Sequence, residues 1–105
     1  MKKITWKDII TEYTKNPRDV ITVPQRGVGI WFYVYAEKDG IYIENAREHT
    51  DSSKIKGRRR LEQDKLEVMT DLHQRRKRGE SVSKNAIETT YNQVYWYGIL
   101  SDMGI

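Results

Sequence analysis

The stretch G-I-W-F-Y-V-Y-A-E-K-D-G-I-Y-I-E, Gly29 to Glu44, limits the fold more than any other part of the chain. Two apolar blocks, Val28–Ala36 and Ile41–Ala46, flank Asp39-Gly40, a pair favoured in two-residue type I′ hairpin turns. Both blocks are rich in β-branched and aromatic residues and alternate with a period of two, so they predict paired strands. With the turn at Asp39-Gly40, Lys38 opposes Ile41, Ala36 opposes Ile43 and Val34 opposes Asn45. Alternation then sorts the side chains. Val28, Ile30, Phe32, Val34, Ala36, Ile41 and Ile43 share one face. Trp31, Tyr33, Tyr35, Tyr42 and Glu44 share the other. One face is aliphatic; the second is aromatic with polar handles.

The flanking segments read as helices and one further strand. Thr5 is an N-cap candidate with Asp8 three positions on, and Trp6, Ile9, Ile10 and Tyr13 recur at helical spacing. Asn16-Pro17 ends that helix, because the residue before proline avoids the α region. Val20–Val23 reads as an edge strand closed by Pro24. Arg47–Gly57 is polar and predicts a loop. Arg58 to about Arg78 predicts a helix whose apolar stripe is Leu61, Leu66, Val68, Met69 and Leu72, stopped by Gly79. Ser83 begins the last helix, with Val82 and Ile87 placed as a hydrophobic staple. Beyond Tyr91 that helix is apolar nearly all round, which places it in a core or an interface. The expected fold is α+β: a small three-stranded antiparallel sheet packed with three helices, in the order α-β-β-β-α-α.

The 105 residues fit one domain spanning 1–105. There is no cysteine, so disulfides, thiolate metal sites and a cysteine nucleophile are excluded. The start, M-K-K-I-T-W-K-D, lacks the apolar run of a signal peptide. The longest apolar run, Ile30–Ala36, is far short of the roughly 20 residues that span a bilayer. The expectation is a soluble, cytoplasmic protein without a membrane partner. The Lys-, Ile- and Tyr-rich composition suggests a bacterial or phage source.

Charge is unevenly placed. Residues 1–53 balance at eight basic and eight acidic residues, and 85–105 carry two acids and no Lys or Arg. The net charge of +4 therefore comes from 54–84, where eleven basic residues face five acidic ones. Lys54, Lys56, Arg58, Arg59 and Arg60 precede or open the expected helix, and Arg75, Arg76, Lys77 and Arg78 close it. Arginine forks match phosphate oxygens, so these nine residues are the candidate nucleic-acid contacts. The competing reading is a solvated face with internal i,i+4 pairs: Arg58–Glu62, Arg60–Asp64 and Asp71–Arg75. An acidic protein surface would suit the same cations, which makes an interaction or inhibitor module the alternative to a non-enzymatic nucleic-acid binder.

Other features carry less. The aromatic sheet face could stack bases, but a covering helix, above all the last one, accounts for it as core. Tyr95, Trp96 and Tyr97 are candidate interface residues for a homodimer if the core cannot absorb their area. His49 and His73 show no ligand spacing, although Glu44, Glu48 and Asp51 flank His49. Neither a metal site, a cofactor nor a catalytic set is assigned. Gly29-Ile30-Trp31, followed after ten residues by Tyr42-Ile43-Glu44, resembles the paired triplets of the GIY-YIG endonucleases. Those enzymes cut DNA with a metal ion, using a tyrosine of the first triplet, an arginine on the next helix and a distant glutamate. The resemblance implies a metal-dependent nuclease. It departs from the family at Trp31, which cannot ionise as a phenol does, and at Glu44 in place of glycine.

Overall fold

The computed structural model describes residues 3–105. Met1 and Lys2, part of the N-terminal stretch read above, lie outside the described residues. Helix α1 (Trp6–Lys15) is followed by strands β1 (Arg18–Ile21), β2 (Trp31–Glu37), β3 (Gly40–Asn45) and β4 (Arg59–Arg60). Helices α2 (Leu66–Lys77), α3 (Ser83–Thr89) and α4 (Gln93–Asp102) complete the chain, with a 3-10 turn at Gln63–Lys65 ahead of α2. The strands form one antiparallel sheet in the order β1-β2-β3-β4. The class is α+β as expected, with four strands and four α-helices where three of each were predicted. Among the described residues no helix is long and apolar enough to cross a membrane.

The capping box at α1 forms in full: Thr5 Oγ1 accepts from the Asp8 N–H at 3.2 Å, and Asp8 accepts from the Thr5 N–H at 2.9 Å. Aspartate therefore serves where glutamate is usual. In the hairpin, Glu37 opposes Gly40, Ala36 opposes Ile41, Val34 opposes Ile43 and Tyr35 opposes Tyr42. The turn is thus Lys38-Asp39, with Lys38 in the left-handed region at φ 56°. The expected register is corrected by two residues. The observed one lays Tyr35 beside Tyr42, ring centroids 5.7 Å apart, and sets Gly40 under the Tyr42 ring. Cross-strand aromatic pairing outweighs the local preference for Asp-Gly at the turn. A shift of two keeps every side chain on its predicted face.

Strand β1 forms earlier than predicted, at Arg18–Ile21. Val28, predicted to start β2, is 88% exposed in the return between the strands. The predicted helix over 58–78 is also corrected. Arg59 and Arg60 pair with Ile43 and Tyr42, and the Leu61 N–H donates to the Ile41 carbonyl at 2.9 Å. The open edge of β3 takes these residues into the sheet, and helix begins only at Leu66. The last helix is broken into two at Thr90–Asn92. The Thr90 hydroxyl accepts the Asn92 N–H at 2.9 Å and donates to Glu62, while the Asn92 amide donates to the Glu62 carboxylate at 2.9 Å. Side chains that bond the backbone locally compete with the helix there.

Helices α1 and α4 cover the aliphatic face of the sheet. Phe32, Val34, Ile41 and Ile43 are fully buried with Ile9, Tyr13, Trp96, Ile99 and Leu100. Phe32 meets Tyr95 edge-on, centroids 4.9 Å apart. Tyr95, Trp96 and Tyr97 are 8, 0 and 6% exposed, so their area is buried within the chain itself. Gly98 lets α4 touch β1: a Cβ there would stand 2.9 Å from the Ile21 carbonyl oxygen and 2.9 Å from the Phe32 ring. The ends of α1, β1 and α4 are clamped by Asp102, which accepts from Tyr13 Oη at 2.7 Å and from Arg18 at 2.6 Å. Burial, followed by the Asp102 hydrogen bond, raises the Tyr13 phenol well above its ordinary value.

Because the Ile21 carbonyl is backbone and cannot turn aside, Gly98→Ala should destabilise the fold by about 1–3 kcal/mol. Urea unfolding followed by far-UV dichroism should show a lower midpoint with an unchanged slope.

Candidate nucleic-acid interface

The aromatic face was expected to lie under the last helix. That expectation is corrected: α4 takes the aliphatic face, where Gly98 and Phe32 permit close approach. Trp31, Tyr33, Tyr35 and Tyr42 remain partly open. Their neighbours come from the sheet and from the loop after β3. The rings form a row, with Tyr33 and Tyr35 centroids 5.7 Å apart and Tyr35 and Tyr42 also 5.7 Å apart.

Each end of the row carries a positive or polarisable group over a ring. The Arg47 guanidinium sits 4.0 Å above Tyr33, and the Arg58 guanidinium sits 4.0 Å above Tyr42. Beyond Tyr33, the His49 imidazole stacks on Trp31 with centroids 3.5 Å apart and planes 10° from parallel. The middle is tied together by polar contacts. Tyr35 Oη donates to Glu44 at 2.6 Å, and Arg58 donates to Tyr35 Oη at 3.2 Å and to Glu37 at 3.1 Å. Burial, then the balance of the Arg58 and Glu44 contacts, leaves the Tyr35 phenol above its ordinary value.

The loop is held by one carboxylate. Asp19 opposes Tyr33 across β1 and β2, so it emerges on the aromatic face. It accepts the backbone N–H groups of Arg47, Glu48 and His49 at 2.9, 2.8 and 3.1 Å and contacts His49 Nδ1 at 2.8 Å. The side chain is only 2% exposed. Burial by itself would raise its pKa, but the hydrogen bonds from the Arg47 N–H, the His49 ring and the Glu48 and His49 N–H groups outweigh it and hold the carboxyl below its usual range.

The nine predicted contacts do not form one surface. Arg58 lies over Tyr42, and Arg60, opposite Tyr42 in the sheet, emerges on the same face. Lys54 and Lys56 are exposed on the loop leading into β4, and no ion pair is found for them or for Arg60 among the described residues. Arg59 points the other way, to Asn92 at 3.3 Å and the Tyr95 ring. The predicted Arg58–Glu62 and Arg60–Asp64 pairs are replaced: Arg58 meets Glu37, and Glu62 is drawn to Thr90 and Asn92. Asp71–Arg75 does form, at 3.9 Å.

The cations at the end of α2 are engaged locally. Arg75 and Arg78 share Glu80 at 3.0 and 3.2 Å, Arg76 donates to the Val23 carbonyl at 2.6 Å over the Tyr97 ring, and Lys77 donates to the Ile105 carbonyl at 2.9 Å. His73 is 3% exposed and is bonded to Ile105; burial lowers its pKa. Among the described residues no three His, Cys, Asp or Glu side chains gather as a metal-binding group. The two triplets that resemble the nuclease motif lie in and beside the hairpin. Gly29 is packed against the Thr22 carbonyl, which leaves no room for a Cβ, and Glu44 is bonded to Tyr35. Comparison with protein-family models, curated proteins and solved structures finds no match to this chain.

Sequence reasoning did not find Arg47, Asp19 or the His49–Trp31 stack. One signal was present: Asp19 is a lone acid beside β-branched residues in a short strand. Four hydrogen bonds to one shielded carboxylate imply that Asp19→Ala costs roughly 2–4 kcal/mol at neutral pH. The lowered folded pKa means that this contribution is complete above the ordinary aspartate value of about 3.9 and fades as pH falls through the folded value. The stability gap between wild type and Asp19→Ala, measured by urea unfolding, should therefore narrow below about pH 4.

Proposed function

We propose that the protein binds single-stranded nucleic acid on the open aromatic face of its sheet. The observation that carries this reading is the row Tyr33, Tyr35 and Tyr42, uncovered by any helix and bracketed by Arg47 and Arg58. Bases have π faces that stack on such rings or on guanidinium planes, and stacking requires that they be unpaired. Arg47, Arg58 and Arg60 supply positive charge for the backbone that links the stacked bases, and Lys54 and Lys56 lie exposed on the loop that leads to Arg58. The basic end of α2, part of the surface expected from the sequence, is assigned a structural role because its cations already have partners.

The reading predicts a preference for single strands over duplex and a binding constant that falls steeply with salt. Fluorescence anisotropy with labelled single-stranded and duplex oligonucleotides at two ionic strengths tests it. Tyr42→Leu, which removes the ring beneath the Arg58 guanidinium, should weaken single-strand binding by roughly 5- to 100-fold, the worth of one stacked base. Arg58→Ala should weaken binding and flatten the salt dependence. Lys77→Ala, at the end of α2, should leave binding unchanged. If neither nucleic acid binds at low salt, the reading is wrong.

A further inference from the structure

The imidazole of His49 is oriented more fully than the loop itself requires. Three backbone N–H groups already tie residues 47–49 to Asp19. The ring adds a fourth contact at 2.8 Å and lies flat on Trp31 at 3.5 Å. Asp19 accepts, so a proton stands on Nδ1, and in the neutral ring the lone pair is that of Nε2. The His49 side chain is 38% exposed, and no partner is found for Nε2 among the described residues. His73 shows the contrast, as a buried histidine whose Nε2 is bonded to the Ile105 carbonyl.

The surroundings of Nε2 suit a phosphodiester. Arg47 belongs to the same loop, and its N–H is fixed by the other oxygen of Asp19. Its guanidinium lies over Tyr33, two residues along β2 from Trp31 and on the same face, a spacing of roughly 6–7 Å. An imidazole held on Trp31 by Asp19 and a guanidinium held over Tyr33 thus come from one three-residue segment at one end of the aromatic row. We infer that His49, positioned by Asp19, is the general base of an RNA-cleaving site, with Arg47 stabilising the charge that develops on the phosphate.

This inference rests on the single-strand reading above and adds chemistry to it. With a base stacked along the row, the ribose 2′-hydroxyl gives its proton to His49 Nε2, and the 2′-oxygen forms a bond to the adjacent phosphorus. The bond from phosphorus to the 5′-oxygen breaks. That oxygen takes a proton from water and leaves as a hydroxyl, and His49 returns its own proton to solvent. The upstream fragment ends in a 2′,3′-cyclic phosphate. Arg47 donates to the non-bridging oxygens, where negative charge grows in the transition state. A strand without a free 2′-hydroxyl is bound and stays intact.

The test uses the full chain with a single-stranded RNA in the presence of EDTA, and a 2′-O-methyl copy of the same strand. Expected results are cleavage of the RNA to 2′,3′-cyclic phosphate and 5′-hydroxyl ends, and binding without cleavage of the copy. His49→Gln should slow cleavage by about 100-fold or more, in line with general base catalysis. His49→Gly should regain rate when imidazole is added, which a purely structural histidine would not permit. RNA that binds and remains intact overturns this inference while leaving single-strand binding standing. So do 5′-phosphate products, or undiminished cleavage by His49→Gln. If the 2′-O-methyl strand does not bind, the single-strand reading fails as well.

Discussion

The pairing of β2 with β3 sets the two sides of the molecule at once. Each strand alternates, so aliphatic pairs such as Val34–Ile43 and Ala36–Ile41 fall on one face while Tyr35–Tyr42 falls on the other. The first face gathers the core, because burying aliphatic surface is the main favourable term in folding. Helices α1 and α4 therefore settle there, and the aromatic rings are left on the far side. A register error of one residue would exchange the two faces and remove both core and candidate interface. The polar devices, Asp102 on the core side and Asp19 on the other, secure what this alternation has already placed.

The hairpin was legible because its signal is local and repeated over many residues. Its register was not, since Asp39-Gly40 and the Tyr35–Tyr42 pair favour different turns and only the three-dimensional pairing decides between them. The segment Arg58–Leu61 misleads for a different reason. Its stripe with Met69 and Leu72 is helical in spacing, and Leu61 is indeed buried, 1% exposed, but as part of an extended run along β3. Propensity is a weak prior where a free strand edge offers hydrogen bonds. The break at Thr90–Asn92 depends on Glu62, distant in sequence, and no local pattern announces it.

Charge counting separated the candidate site less well than geometry does. The sequence concentrates positive charge between Lys54 and Lys84, yet Arg75, Arg76, Lys77 and Arg78 meet Glu80, the Val23 carbonyl and the Ile105 carbonyl. Cations near a helix C-terminus are favourably placed for such contacts. Arg47, from a stretch whose charges balance, lies instead over an open ring. A sum of charges cannot distinguish these cases, because the distinction rests on which carbonyls and carboxylates come within reach after folding.

The stacked arginines also bear on how a nucleic acid would be received. Arg58 contacts Glu37 at 3.1 Å through an exposed pair, with side chains 44% and 52% accessible. Arg47 and Glu44 stand 3.9 Å apart at the surface. Exposed ion pairs of this kind contribute about 0–1 kcal/mol, so exchanging a carboxylate for a phosphate costs little. The cation–ring contacts meanwhile hold both guanidinium groups over tyrosine rings of the sheet. A base can then stack on the outer side of the guanidinium while its phosphate meets the fork, without displacing arginine from tyrosine. On the proposed single-strand binding, the arginines would serve as both charge and stacking surface. Arg58→Lys, which keeps the charge but loses the plane, should then weaken binding nearly as much as Arg58→Ala at moderate salt.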